Sequence, residues 1–316
     1  MPNDPGENVV LAVAAMNAVH DTAKNIAKYA SLIDQAAAQR ARLLVLPEQS
    51  LQGYLYHLNH ELSPDEANYL YDTAEPIPGP STERIAKLAR KAKMHVIFGM
   101  TERVGVSSSG ILYNSAVLVG PRGVEGVYRK VHAPGDEYHI FRQGRDWPVF
   151  ETDIGRIGIQ ICYDMRFPEA SREMALKGAE ILVLPTAWPQ QNGFAYDLLD
   201  RARAAENECW FLSSNQVGAC DHGRLTYYGH SRIIGPLGNV LADTGDDEGI
   251  VTATVPADSL RRRQWGSMNV FHDRRPDTYR SLANEEIYDA YGVDTHRRSP
   301  KAVPETKRPR QRGSGR

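Results

Sequence analysis

The segment from Arg156 to Glu169, RIGIQICYDMRFPE, runs from an apolar strand directly into a cysteine. Residues 156–161 have the short apolar pattern of a buried strand, and Pro168 favours the first turn of a helix. The segment therefore predicts a strand, a sharp connection at Cys162 and a helix. Because a helix N-terminus carries partial positive charge, we expect the thiol to ionise readily.

Other polar residues follow apolar strands in the same way. Glu48 and Lys130 each come just after a short apolar run, and Glu137 lies seven residues beyond the lysine. Cys162 taken alone also fits a small apolar residue of the core. Because open α/β sheets build their sites at the carboxyl ends of strands, we expect these four side chains to meet in one site.

Helical and extended patterns alternate along most of the chain, which predicts an α/β fold with helices covering the sheets. Helices are predicted for residues 22–39, 82–91, 168–178 and 194–207. Strands are predicted near residues 9–16, 43–46, 95–98, 112–119, 124–127, 156–161, 181–184, 210–214, 230–234 and 250–255. The segments ARLLVLP at 41–47 and AEILVLP at 179–185 each follow a predicted helix. They indicate either an internal repeat or only the common pattern of a helix that leads into a buried strand.

The chain resembles the carbon-nitrogen hydrolases of the nitrilase superfamily from about residue 8 to about residue 280. The motifs that carry the resemblance are LPE at 46–48, YRKVH at 128–132 with Glu137, ICYD at 161–164, RARAAEN at 201–207 and YGHS at 228–231. The resemblance implies a four-layer αββα sandwich of two mixed sheets. It also implies a homodimer or a higher homo-oligomer, in which pairs form through the helices after Cys162 and near Arg201.

The chemistry of amide hydrolysis matches these residue types. An amide is a weak electrophile with a poor leaving group, so its cleavage needs a nucleophile, a proton shuttle and stabilisation of an oxyanion. Cys162 would be the nucleophile and Glu48, kept protonatable by burial, the shuttle. Lys130 and the backbone N–H of Tyr163 would stabilise the oxyanion. The resemblance gives Glu137 a supporting catalytic role, in which it orients the lysine.

The neighbours of the cysteine indicate the substrate class. The segment CYDMRF at 162–167 resembles amidase branches, including omega-amidases, whereas true nitrilases typically follow the cysteine with Trp and Glu. Arg166 matches the arginine that N-carbamoyl-amino-acid hydrolases bring near a substrate carboxylate; a structural ion pair is the alternative. Tyr54, Tyr163 and Trp188 are the other candidate substrate-binding residues, although Tyr54 and Trp188 also fit core or dimer packing.

We therefore expect hydrolysis of a small, carboxylate-bearing aliphatic amide to the acid and ammonia through a cysteine thioester, without a cofactor. The alternatives are an N-carbamoyl hydrolase, a nitrilase, or a silent binding protein on the same fold. His132 and His139 flank two acidic residues, as metal ligands can. They share one short loop without helical spacing, and the resembled family needs no metal, so we expect no metal site. The sequence contains no glycine-rich phosphate motif.

Composition is that of a globular protein, with 41% hydrophobic and 24% charged residues in 316. The three cysteines form no C-x-x-C pair, which favours a reducing cytoplasm over a disulfide framework. We find neither a signal peptide at the start nor an apolar run long enough to span a membrane. We expect a cytoplasmic protein with a small-molecule substrate and no membrane partner.

The expected divisions of the chain are a flexible N-terminus at 1–7, a hydrolase domain at 8–280, an extension at 281–296 and a basic tail at 297–316. The tail has eight basic residues and one acid, a charge of +7, so the net charge of −2 leaves −9 for the rest. Its three prolines and few apolar residues predict disorder. Because the rest of the chain lacks interleaved basic and aromatic residues, we do not expect a nucleic-acid partner.

Overall fold

The computed structural model describes residues 8–54, 64–106, 110–135, 137–220, 225–261 and 269–283. The chain divides into a compact body, Met1–Val270, and a second unit, Phe271–Arg316. In the second unit, short 3-10 turns cover Pro276–Thr278 and Arg280–Ala283. The segments 1–7 and 297–316 lie outside the described residues, and the division expected at residue 280 stays a prediction.

The described part of the body contains two six-stranded sheets and a small hairpin. The strands of the first sheet are β1 (Asn8–Ala15), β2 (Ala41–Val45), β3 (His95–Val104), β4 (Ile111–Gly120), β5 (Gly123–Arg129) and β14 (Gly249–Pro256). Those of the second are β6 (Val149–Thr152), β7 (Gly155–Ile159), β8 (Ile181–Thr186), β9 (Trp210–Asn215), β12 (Arg232–Ile234) and β13 (Val240–Asp243). The hairpin is formed by β10 (Val217–Ala219) and β11 (Thr226–Tyr228).

The two sheets have equivalent topologies. Their strand orders are β14-β1-β2-β3-β4-β5 and β6-β7-β8-β9-β12-β13. In each sheet three parallel strands, β1 to β3 or β7 to β9, are flanked on both sides by antiparallel strands. The similar segments 41–47 and 179–185 form β2 and β8, which are equivalent strands in these sheets. The structure therefore favours the internal-repeat interpretation of that similarity.

The helices are α1 (Thr22–Ala38), α2 (Pro64–Thr73), α3 (Pro80–Ala92), α4 (Glu137–Ile140), α5 (Pro168–Leu176) and α6 (Gly193–Asn207). α1 begins where the side chain of Asp21 accepts a hydrogen bond from the Lys24 amide, 3.0 Å away. Its apolar stripe, with Ile26 and Ile33, joins the apolar residues of α3 in the core over the first sheet. No helix among the described residues is long and apolar enough to cross a bilayer.

α5 and α6 cover the second sheet, and the two sheets face each other. Gly158 of β7 lies under Met174 of α5, where a Cβ would come within 2.9 Å of the methionine sulfur. Between the sheets, the hydroxyls of Ser214 and Ser231 both donate to the carbonyl of Ala14, at 2.6 and 2.9 Å. The predicted four-layer αββα sandwich of two mixed sheets is confirmed.

Candidate active site

Glu48, Lys130 and Cys162 lie just beyond the ends of β2, β5 and β7, and the fold brings them together with Glu137. The Nζ of Lys130 lies 2.7 Å from Oε1 of Glu48 and 3.0 and 2.9 Å from the two carboxylate oxygens of Glu137. Cys162 lies close enough to Lys130 and Glu48 for electrostatic interaction with both side chains. All four side chains are buried.

Lys130 is a fixed cation between two carboxylates. Burial alone lowers the pKa of its ammonium group, but the charges of Glu137 and Glu48 outweigh burial and raise that pKa well above its usual value. For Glu137, burial raises the pKa of the carboxyl group; the charge of Lys130 opposes this effect and that of Glu48 adds to it. The ammonium group is thus held charged, with its donors aimed into the site.

The carboxylate of Glu48 accepts hydrogen bonds on both oxygens. Oε1 accepts from Lys130 and from Nδ2 of Asn114, 2.7 Å away, and Oε2 accepts from the amide of Ala187 at 3.0 Å. The backbone here passes very close to Gly99 of β3, where a Cβ would lie 2.6 Å from the Cα of Glu48. The glycine therefore allows the loop after β2 to place its carboxylate inside the sandwich.

Cys162 has an unusual backbone conformation. Its φ of 45° lies in the left-handed region, and it begins a 3-10 helix, Cys162–Arg166. Burial and then the charge of Glu48 raise the pKa of its thiol well above the usual value. The expectation of a readily ionised thiol is therefore wrong. The reason is geometric: α5 begins six residues later, at Pro168, and the buried thiol lies beside a carboxylate rather than at the N-terminus of α5.

Asp164 ties the turn of the cysteine to the loop of the lysine. Its Oδ1 accepts from the backbone N of His132 at 2.9 Å and lies 2.8 Å from Nδ1 of the same residue. Its Oδ2 accepts from the Tyr128 hydroxyl at 2.6 Å and from the amide of Ile161 at 2.9 Å. The His132 ring also stacks on Phe167, with ring centres 3.7 Å apart. His132 therefore belongs to the hydrogen-bond network of Asp164, and its ring packs on Phe167 rather than against the four residues of the site.

The described residues, which exclude Asp136, contain no group of three His, Cys, Asp or Glu side chains arranged to hold a metal ion. His132 faces Asp164, and His139 lies in α4 with its ring edge-on to Tyr138.

Tyr54 lies in contact with the site. Its hydroxyl donates to Oε1 of Glu137, and the pKa of this hydroxyl is raised well above its usual value by burial and by the charge of that carboxylate. The ring packs in an apolar cluster with Ala187, Leu225 and Tyr227. Tyr54 is therefore placed both to hold Glu137 and to form one wall beside the site.

The side chains of Trp188 and Arg166 lie next to each other in the same region. The Trp188 indole is buried, and its Nε1 donates to the carbonyl of Asn192 at 2.9 Å. The exposed Arg166 guanidinium lies 5.3 Å from the centre of that indole ring. Within the described residues Arg166 makes no ion pair, so no carboxylate of that part of the chain neutralises it. Tyr163 is half-buried and packs edge-on against Phe167.

Sequence reasoning did not single out Asn114, which holds Glu48, or Thr186 and Ala187, which lie against the cysteine. Nor did it give Asp164 a role beyond its motif. One signal was available. Asn114 is a polar side chain in a largely apolar strand, and buried polar groups of this kind need a partner.

Comparison with known proteins gives the family. The profile of the carbon-nitrogen hydrolase family matches residues 10–264. A probable nitrilase of Schizosaccharomyces pombe is 34% identical over 269 residues, which cover 84% of this chain and 94% of that protein. A human omega-amidase is 33% identical over 267 residues, which cover 81% of this chain and 91% of the omega-amidase. An N-carbamoylputrescine amidase of Solanum lycopersicum is 32% identical over 303 residues, with 87% and 96% covered.

A solved structure, that of a mutant of an amidase of the nitrilase superfamily from Nesterenkonia, has the same fold. It superposes with a TM-score of 0.73 at 22% identity and covers 89% of this chain and 99% of the amidase. The fold, the family profile and relatives above 30% identity agree along most of the length. The chain belongs to the carbon-nitrogen hydrolase family.

Proposed function

We propose that this amidase-type carbon-nitrogen hydrolase cleaves a small, carboxylate-bearing aliphatic amide to the acid and ammonia, through a thioester on Cys162. One observation carries the proposal. A buried thiol lies beside the Glu48 carboxylate, which also accepts a hydrogen bond from an ammonium group held by a second carboxylate. This set contains a nucleophile, a base for its proton and a cation for a developing oxyanion.

The proposed reaction has two halves. As the sulfur of Cys162 attacks the amide carbon, Glu48 takes the thiol proton, and Lys130 together with the amide of Tyr163 stabilises the oxyanion. Glu48 then gives the proton to the departing nitrogen, the C–N bond breaks, and ammonia leaves a thioester. Water attacks the thioester while Glu48 takes its proton; the acid leaves, and the proton returns to the thiolate. Glu137 keeps Lys130 in place throughout, and no cofactor enters either half.

A neutral resting thiol fits this scheme. Since burial and Glu48 hold the pKa of Cys162 high, the proton must move as the carbon–sulfur bond forms. The reaction therefore depends on a base in contact with the thiol rather than on a free thiolate. A Glu48→Gln variant should then lose activity although the thiol of Cys162 is unchanged.

Arg166 supports a carboxylate on the substrate. Its guanidinium lies over Trp188, is exposed, and has no ion pair within the described residues. A planar guanidinium in this setting can bind a carboxylate through two hydrogen bonds. The rival substrate is an N-carbamoyl compound, because the tomato N-carbamoylputrescine amidase is as similar to this chain as the human omega-amidase. A nitrile is the third, because a probable nitrilase is also among the relatives.

The test is ammonia release from short aliphatic amides, 2-oxo acid amides, N-carbamoyl amino acids and nitriles, with Cys162→Ala as the control. We expect release from carboxylate-bearing amides, abolished in the control. Arg166→Gln should raise KM for these amides about tenfold or more and leave uncharged amides unchanged. Carbon dioxide from carbamoyl compounds would favour the rival, and no release from any compound would contradict the proposal.

We also propose a homodimer formed through α5 and α6. Large apolar side chains are exposed on this side: Phe194 is 77% and Leu198 66% exposed on α6, and Leu176 of α5 is 44% exposed. Light scattering should give twice the chain mass for the wild type. The double variant Phe194→Lys, Leu198→Lys should give the monomer, whereas Val106→Lys, at an equally exposed apolar position, should not. A monomeric wild type would contradict the dimer.

A reducing compartment such as the cytoplasm suits this chemistry. Cys162 and Cys220 are free cysteines, and the proposed nucleophile is active only as a reduced thiol.

A further inference from the structure

Thr186, the last residue of β8, lies between the groups of the active site. It is fully buried. Its carbonyl accepts from the backbone N of Glu48 at 3.4 Å and from that of Gln216 at 3.1 Å. The amide of the next residue, Ala187, donates to Oε2 of Glu48 and also approaches the thiol of Cys162. The backbone at the end of β8 therefore contacts both Glu48, the proposed base, and Cys162, the proposed nucleophile.

The hydroxyl of Thr186 has an unusual environment. Its oxygen is buried and makes no hydrogen bond among the described residues. A buried hydroxyl without a partner is costly, so such a group in a site calls for an explanation. The polar group that it faces is the sulfur of Cys162.

We propose that the Thr186 hydroxyl donates a hydrogen bond to the sulfur of Cys162 when negative charge develops on it, which makes Thr186 a further catalytic residue. The inference rests on the proposed role of Cys162 as nucleophile. A neutral thiol is a weak acceptor, and the bond is not made in the resting enzyme. It forms as Glu48 removes the thiol proton, and again when the tetrahedral adduct of water on the thioester expels the thiolate. An interaction that strengthens only with this charge accelerates the reaction.

The side chain of threonine is suited to this role. Its branched Cβ restricts χ1, so a hydroxyl in a packed strand is held in one direction. Two substitutions separate the hydroxyl from the shape of the side chain. Thr186→Val keeps the shape and removes the donor, whereas Thr186→Ser keeps the donor and removes a methyl group.

The experiment measures the rate at which iodoacetamide alkylates Cys162 between pH 7 and 10 in the free enzyme, followed by mass spectrometry. Cys162→Ala supplies the background from the other two cysteines. We expect Thr186→Val to react about tenfold more slowly than the wild type at each pH, since a hydrogen bond to a charged group is lost. Thr186→Ser should stay within about threefold. With an amide substrate, the valine variant should lose kcat with KM little changed.

Equal alkylation rates in the wild type and Thr186→Val would overturn the proposal, and so would a serine variant as slow as the valine variant. Thermal melting checks that each variant is folded. If Thr186→Val does not fold, Thr186→Ala serves as a second variant without the hydroxyl. Alkylation needs no amide substrate. The enzyme could release no ammonia while Thr186→Val is alkylated slowly and Thr186→Ser at nearly the wild-type rate. That result would refute the proposed substrates and still support the hydrogen bond.

Discussion

Replacing Asp164 by asparagine should separate the cysteine turn from the lysine loop. The carboxylate accepts from Ile161 and Tyr128 on one oxygen and from the amide and the ring of His132 on the other, all within 2.9 Å. Asparagine has one acceptor oxygen and an NH₂ group that can only donate. In either orientation, the NH₂ group faces a backbone N–H, that of Ile161 or that of His132, and leaves it without an acceptor.

The size of the effect follows from this count. An unpaired buried N–H costs about 1–3 kcal/mol, and losing the charge of the acceptor weakens the remaining bonds, so we expect about 2–4 kcal/mol in total. For a domain of this size, such a loss lowers Tm by roughly 5–15 °C. Cys162 is adjacent to Ile161 of this network, and Lys130 lies two residues from both Tyr128 and His132. A displacement of about 1 Å in either side chain should lower kcat about 100-fold.

The assay is thermal melting together with steady-state ammonia release. Asp197→Asn is the matched control: its carboxylate is also held by a side chain, the Arg232 guanidinium at 2.7 Å, but it is 45% exposed and distant from Cys162 in the chain. Its loss should cost less than about 1 kcal/mol. An Asp164→Asn protein that melts within about 2 °C of the wild type and keeps its kcat would refute the reasoning.

Three further predictions follow from single positions. Asn114→Ala removes a donor from Oε1 of Glu48 and should lower kcat about tenfold or more with KM little changed, as measured by ammonia release. Gly99→Ala places a Cβ 2.6 Å from the Cα of Glu48, so backbone must move; denaturant unfolding should show a loss of about 3 kcal/mol, and no loss would contradict the close approach. Burial raises the pKa of Asp200 to about 6 from 3.8, so its contribution to stability is present below pH 3.8 and is lost as pH rises through 6. Between pH 4 and 7 the wild type should therefore lose up to about 3 kcal/mol relative to Asp200→Asn in urea unfolding.

The fold was predictable where local signals were strong. The continuous apolar runs of β2 and β8 and the helix start at Pro168 are local features, and their prediction was confirmed. β6 and β13 were missed because they are edge strands with partly exposed, mixed side chains that show no apolar period. The hairpin of β10 and β11 is too short to give a pattern of its own.

The site was predictable only in part, for a related reason. Glu48, Lys130 and Cys162 follow strands, so their places along the chain indicate a common edge. The contact of Asn114 with Glu48 depends on which strands are neighbours, and the position of Thr186 against Cys162 depends on how two strands of one sheet end. The high pKa of the thiol likewise comes from burial and from a carboxylate more than one hundred residues away in sequence, which no local pattern contains.

The two oxygens of Glu48 have different surroundings, and this difference determines the path of the proton in the proposed mechanism. Oε1 accepts hydrogen bonds from two donors, Lys130 and Asn114, which occupy its two lone pairs. Oε2 has a single donor, the amide of Ala187, which also approaches the thiol. A carboxylate oxygen can accept in more than one direction, so Oε2 keeps a lone pair that could take the thiol proton in the proposed mechanism. The proton should therefore travel between the sulfur, Oε2 and the departing nitrogen, while Oε1 keeps the carboxylate from turning.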